Sequence, residues 1–323
     1  MTNYESNPLL TQQPFDSFDR SVLQRYENVS KVQKLPGLFF DSSSDVWEIQ
    51  ATCFKNDSKL INHVIKSHQV SNPCPFWLGM DLLFKRSICS SYQDAKATYK
   101  IIDTLTSLKI PQVSDVLVGQ GHCALVLEKI YGASIQTTEI SDDLVKQIAK
   151  FLAEMHSHSA EKIGAIVKQP EFKQDLIYDL TSWQESVLLT VQTLMPEEFA
   201  QKPSVISALN NIASLTIQKI VPLMMDLRWD QFSQIEGKLA GVFDLDAFVF
   251  APIELDFVIL EYLLNAQQLI VFKKAYEQEG ANNLSVPSIV EVREIYRVLF
   301  FLINALGERD FEKWMSQPCF FNA

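Results

Sequence analysis

Positive charge is scarce in this sequence: 28 Lys and Arg stand against 39 Asp and Glu, a net charge of −11 over 323 residues. Nucleic-acid and anionic-membrane surfaces require a basic footprint, so neither is expected as the main partner. A local basic pocket could still receive an anionic ligand, and an acidic cleft would favour a cationic substrate. Cysteine is also sparse. Cys53, Cys74, Cys89, Cys123 and Cys319 are odd in number and never form a CxxC, which predicts a reducing compartment with buried thiols. The only histidine cluster is His156-x-His158, with no HExxH, so a structural metal is not expected. No GxxxxGK[ST] and no GxSxG occurs, and Gly119-x-Gly121 joins two strands and opens no helix. Walker-type ATPases, α/β-hydrolases and dinucleotide-binding folds are thereby set aside. The N-terminus has no basic n-region, its first basic residue being Arg20. The longest apolar run, Val298 to Ile303, is far below the ~20 residues of a membrane helix. A cytoplasmic protein is expected.

What the chain does have is apolar mass. Hydrophobic residues make up 47% and charged residues 21%, enough for a sizeable core. The length suits two lobes sharing a cleft. Residues 1–15 are polar and loose by composition. Phe18, Val22, Leu23 and Tyr26 recur at helical spacing, which predicts a helix over 17–29. Val46–Phe54 and Leu60–Lys66 read as a hairpin around the Lys55-Asn-Asp-Ser58 turn. The run Phe76–Phe84 fits either a short helix or a strand. Tyr92–Leu108 is helical until Pro111, and Val113–Val118 and Cys123–Ile130 are two more strands.

After Gly132 the pattern changes. Asp142–His156 is amphipathic, with Leu144, Ile148, Phe151, Leu152 and Met155 on one face. Helical stretches are expected to continue to Leu223, broken near Pro196 and Pro203. A short β region follows at Leu239–Phe250, and then helices at 253–278 and 289–306. Strands thus concentrate early and helices late. This is an α+β arrangement, with a small β-rich lobe over 1–131 and a larger helical lobe over 132–323.

The late hairpin, 226–250, carries the chemistry. It is flanked by Met225-Asp-Leu-Arg-Trp-Asp-Gln-Phe232 and by Val242-Phe-Asp-Leu-Asp-Ala247, with Pro252-Ile-Glu-Leu-Asp256 beyond and a turn at Glu236-Gly237. Phosphoryl transfer needs an oxygen to orient the attacking hydroxyl and hard oxygen ligands for Mg²⁺ on the phosphates. Asp226, Gln231 and Asp244 supply such groups at one edge of a hairpin. Carboxylates this close repel one another unless a cation lies between them.

These segments resemble the catalytic region of the aminoglycoside-phosphotransferase/choline-kinase-like family: roughly HGDxxxxN, a strand ending in Asp, then a helix opening with Asp. The resemblance extends from about Trp47 to Tyr262. Phe151-Leu-Ala-Glu-Met-His156 is similar to the family's "LAxLH" helix. Ile110-Pro-Gln-Val113 and Ala124–Gly132 resemble the stretches leading to its hinge. FWLGMDLLF, DLRWDQF and FDLDAFVFAPIELDF also look like a bacterial branch of this fold whose acceptor the residues do not identify.

The resemblance implies a bilobal protein-kinase-like fold and an ATP/Mg²⁺-dependent phosphotransferase acting on a small-molecule hydroxyl. By it Asp226 is the catalytic acceptor, and Gln231 (in place of Asn) and Asp244 are metal ligands. The backbone from Glu128 to Ile130 receives adenine, and Lys66 or Lys85 anchors the nucleotide. Lys66 is preferred, because Phe76–Phe84 reads as an insertion after its strand. Three features depart from the pattern. Met224 and Met225 replace the family's His-Gly brace, Asp41-Ser-Ser-Ser-Asp45 stands where glycines are expected, and the Tyr92–Leu108 helix has no Glu to pair with the lysine. They leave open a catalytically inactive kinase-fold binding or scaffold protein.

Individual residues keep a plainer reading beside these roles. Asp246 is either a further site residue or an exposed turn residue, and Asp256 suits the first turn of a helix. Arg228 either meets substrate or phosphate or forms a surface ion pair. Trp47 and Trp229 read as packing residues, and His156 as a satisfied helix-end histidine.

Overall fold

A computed structural model describes residues 22–23, 25–36, 44–53, 60–69, 74–119, 121–167, 180–279 and 284–321. The Lys55–Ser58 turn, most of the Asp41–Asp45 loop and residues 1–15 lie outside these. Five antiparallel strands open the chain: β1 (Tyr26–Leu35), β2 (Asp45–Cys53), β3 (Leu60–Gln69), β4 (Val113–Gly119) and β5 (His122–Glu128), in spatial order β1-β2-β3-β5-β4. One face of this sheet packs its own cluster, with Trp47, Ile49, Ala51 and Ile65 all at most 2% exposed. Trp47 is therefore a packing residue.

The helix expected over 17–29 holds at Val22 and Leu23 among the described residues and is corrected beyond them, because Tyr26 onward is strand. Tyr26, Val29 and Val32 are all buried, a spacing of three that mimics a helical stripe. That spacing comes from a register shift against β2 between Glu27 and Lys31, where Asn28 takes φ 43°. A bulge inserts a residue and resets which side chains face inward.

Between β3 and β4 lie α1 (Pro75–Phe84) and α2 (Ile88–Asp103). The ambiguous 76–84 run is thus a helix. It packs on α4 (Leu180–Leu194), in the helical half of the molecule. The approach is so close that a Cβ on Gly79 would lie 2.3 Å from Ile303 Cγ2. Helix α2 starts in a capping box, where the Ser90 amide donates to Ser87 Oγ and the Ser87 amide to Ser90 Oγ, worth about 1 kcal/mol.

Cys89, in the first turn of α2, is disulfide-bonded to Cys123 in β5. This corrects the expectation of thiols alone. Nothing in the spacing of the five cysteines marked the pair, which only the folding of α2 onto β5 brings together.

The helical half begins with β6 (Ala133–Ser134) and α3 (Asp142–Ser157), whose amphipathic face was legible in the sequence. Two small sheets follow, where the sequence suggested a single hairpin. One has the order β10 (Lys238–Val242), β9 (Phe232–Ile235), β6; the other has β7 (Gly164–Ala165), β11 (Phe248–Pro252), β8 (Ile220–Met224). Strand β8 corrects the helical reading up to Leu223. Four of its five residues are buried, so it is a short core strand without the alternation that would announce it. Helices α7 (Glu254–Leu263), α8 (Ala266–Glu279) and α9 (Arg293–Leu302) complete the core. Among the described residues no helix is long and apolar enough to cross a membrane.

Candidate active site

Two β pairings assemble the site. Strand β8 runs antiparallel to β11 with Met224 opposite Phe248, and the Met225 amide donates to Ala247 O at 3.3 Å. Asp226, just beyond β8, is thereby set beside the Asp244–Asp246 turn just before β11. The β9–β10 hairpin does the rest. It turns at Glu236 and Gly237, with φ 51° and 75°, and returns so that the Phe243 amide donates to Gln231 O at 2.9 Å. Gly241 allows the hairpin to press on the incoming chain, since a Cβ there would meet Lys109 O at 2.7 Å.

A cavity of about 490 Å³ opens between the first sheet and this hairpin. Val46, Val64 and Leu127 form its apolar upper wall, and Glu128 and Ile130 its hinge edge. Asp226, Arg228, Gln231, Asp244 and Asp246 form its floor, and Lys66 reaches down from β3. The structure thus brings together all the expected residues except Lys85. That residue ends α1 in the left-handed conformation (φ 54°), exposed, and does not line the cavity. At the hinge edge, the Glu128 amide is bonded to Gln112 O and the Lys129 amide to Asn62 O.

The floor is held by side-chain bonds. Gln231 Nε2 donates to Asp226 Oδ2 at 2.7 Å. Arg228 is clamped on Asp230 (Nε–Oδ1 3.0 Å) and stands 3.9 Å from Asp226 Oδ2. Lys66 is ion-paired with both Asp244 and Asp246. Asp244 adopts φ 67°, a conformation uncommon outside glycine, and its side chain remains 34% exposed toward the cleft. Two polar atoms here are buried without a hydrogen-bond partner, Asp226 Oδ1 and Gln231 Oε1. Buried acceptors are seldom left unmatched in a folded core.

Charge states follow from this packing. Burial, reinforced by the charge of Asp244, pushes the Asp226 carboxyl up to about 7 despite Arg228 nearby. Burial likewise raises Asp246 to about 6 against the pull of Lys66. For Asp244 burial works against ionisation, but Lys66 prevails and holds the carboxyl below its ordinary range. Lys66 itself is buried, yet its two carboxylate partners keep it charged.

Other expectations resolve cleanly. His156 is fully buried and shared between Asp256 Oδ2 and the Tyr276 hydroxyl, each at 2.9 Å. Asp256 is thus a core partner of that histidine. Trp229 packs in the core and donates Nε1 to Leu263 O at 3.1 Å. Sequence reasoning missed the role of Tyr99, whose hydroxyl donates to Asp246 Oδ1 at 2.9 Å. Its signal was there as Tyr92 and Tyr99, seven residues apart on one helix face.

The α+β bilobal fold is that of protein-kinase-like small-molecule phosphotransferases. A protein assigned as fructosamine-3-kinase from Haemophilus somnus 129PT superposes with TM-score 0.58 at 13% identity, over 92% of this chain and 93% of its own. The macrolide 2'-phosphotransferase MphH from Brachybacterium faecium gives TM-score 0.56 at 14% identity, over 93% and 97%. The spectinomycin phosphotransferase APH(9)-Ia, solved with ADP and spectinomycin, gives 0.53 at 13%, over 94% of each chain. No family model matches the chain, and no curated protein matches it in sequence.

Proposed function

We propose that the chain is an ATP/Mg²⁺-dependent phosphotransferase acting on the hydroxyl of a small molecule. The observation that carries this reading is the Asp226–Gln231 pair, bonded to each other yet each keeping a buried oxygen without a partner, on the floor of one cavity with Lys66 and Asp244. The presence of ADP and a small acceptor in a protein of this fold supports it.

The donor set suits a hard cation, being carboxylate and amide oxygen without sulfur or imidazole. Among the described residues no cluster of three or more His, Cys, Asp or Glu could hold a metal. Mg²⁺ takes one or two protein carboxylates and completes its shell with waters and nucleotide phosphates. Gln231 Oε1 and the Asp244 carboxylate would hold it. Mg²⁺ would supply neutralisation of phosphate charge.

The chain's own residues would do the rest. Asp226 orients the attacking hydroxyl and accepts its proton, a role suited by a carboxyl whose pKa stands near neutrality. Arg228, fixed by Asp230, offers positive charge where the transferred group gains negative charge. Lys66 binds nucleotide phosphate, and the hinge backbone at Glu128 to Ile130 takes the adenine between Val46, Val64 and Leu127.

Calorimetric titration with ATP, with and without Mg²⁺, tests the reading, followed by assay of ADP release against a panel of hydroxyl compounds. Absence of binding at millimolar Mg·ATP would sink it. One observation favours the second reading, a catalytically inactive kinase-fold binding or scaffold protein: Lys66 already sits between the two carboxylates that a cation would otherwise neutralise. Against it, Met224, Met225 and Trp229 are packed in the core and none lines the cavity. ATP binding with no ADP release from any acceptor would decide for that alternative.

A further inference from the structure

A lysine that binds nucleotide phosphates must be held against its own flexibility, and protein kinases do this with a carboxylate from the helix that follows its strand. Helix α2 offers none here. Asp94 is ion-paired with Arg86, and Asp103 is exposed at the helix C-terminus. Instead Lys66 is bonded to Asp244 and Asp246, which differ in what surrounds them. Asp244 is 34% exposed to the cleft, whereas Asp246 is 3% exposed and lies behind it. The second oxygen of Asp246 accepts from the Tyr99 hydroxyl at 2.9 Å, and that hydroxyl accepts from the Leu245 amide at 3.2 Å. Two turns earlier on α2, the Tyr92 ring lies 6.0 Å from Lys66 Nζ, and its hydroxyl meets Ser44 Oγ at 3.1 Å.

We propose that Tyr99 and Asp246 together replace the missing helix carboxylate, forming a relay Tyr99–Asp246–Lys66 that holds the lysine toward the nucleotide phosphates. The proposal rests on the phosphotransferase reading. Its logic is a division of labour between two aspartates. An Asp244 carboxylate engaged with a cation is no longer free to restrain Lys66, so the buried Asp246 is the anion left to do so. Tyr99 fixes that carboxylate in turn and ties it to α2, so the placement of the helix sets the placement of the lysine. Tyr99 and Asp246 are positioning residues in this scheme, acting through Lys66.

The test is a double-mutant cycle on Mg·ATP affinity, with thermal melts to confirm folding. Tyr99→Phe removes only the hydroxyl and should weaken Mg·ATP binding about tenfold, the loss expected for a hydrogen bond to a charged group. Asp246→Asn should weaken it at least as much; if that variant fails to fold, Tyr99→Phe decides alone. On a Lys66→Ala background, Tyr99→Phe should cost less than about twofold, because the relay has nothing left to position. A full tenfold loss on that background, or no loss in the parent, would overturn the proposal. If the parent protein binds no Mg·ATP, the phosphotransferase reading fails first. The relay is then read from acylation of Lys66 by an amine-reactive ester, mapped by mass spectrometry. Faster acylation in Tyr99→Phe supports the holding role, and an unchanged rate overturns it.

Discussion

Two sets of buried charge, one in the helical core and one under the cleft, differ in which polar atoms are left without a partner. In the core, Asp256 meets His156 at 2.9 Å, and that ring meets Tyr276. Glu261 is bonded to Arg293 at 3.1 Å, to Arg297 at 2.6 Å and to the Phe320 amide at 2.7 Å. Under the cleft, by contrast, Asp226 and Gln231 each retain a buried oxygen with no partner. The Glu261 cluster fixes helices and the C-terminal segment to one another and leaves a donor, Arg297 Nε, buried without a partner, whereas the orphans under the cleft are acceptors on the floor of a cavity. On the proposed function, one set of carboxylates has structural duty and the other has ligand duty.

The contrast can be broken most forcefully at Asp226. Asp226→Asn should lower turnover by about 10²–10⁴-fold while leaving the melting temperature unchanged or higher, because only a poorly satisfied charge is lost. Steady-state ADP release and a melt on the same preparation read both. Glu261→Ala should do the reverse. Stranding Arg293 and Arg297 costs about 3–5 kcal/mol in denaturant unfolding, with activity per folded molecule retained.

Glu254 sharpens the line between the two classes. It is fully buried, with Oε1 accepting the Gln218 amide at 2.8 Å and Oε2 unpartnered. Burial pushes its carboxyl up from 4.5 to about 7. A raised folded pKa favours the protonated form. The stability it lends is complete below pH 4.5 and is lost as pH rises through about 7. Glu254→Gln should therefore be near neutral at pH 4.5 and stabilising by up to about 3 kcal/mol at pH 8, measured by urea unfolding. The smallest expected effect is at Asp244. Asp244→Asn should weaken the Mg²⁺-dependent part of ATP binding about tenfold, read by titration with and without EDTA.

The parts of this molecule that announced themselves in sequence are those governed by local rules. The α3 face with its 3.6-residue period, the β2 alternation and the Glu236-Gly237 turn all formed where their residues put them. The Asp226, Gln231 and Asp244 spacing marked the floor of the cleft because all three flank the β9–β10 hairpin closely in sequence, although Asp226 is set by the pairing of β8 with β11. What stayed hidden depends on long-range pairing. The β1 bulge disguised a strand as a helix, and β8 is too short and too buried to alternate. The partner of Lys66 was sought on α2 and came instead from Asp246, with Tyr99 supplying the helix's share. The Cys89–Cys123 bond required α2 to lie on β5, which no cysteine spacing encodes.

The placement of α1 has a consequence for how the protein could be taken apart. That helix leaves the sheet after β3, yet it seats Gly79 against Ile303 and packs along Leu180–Leu194. A fragment cut after residue 131 would carry the five-stranded sheet together with a helix stripped of the surface it was shaped to meet. With Lys66 paired to Asp244 and Asp246 and Tyr99 bonded to Asp246, this limb is one of several links between the halves, and neither is a module to be transplanted without the other.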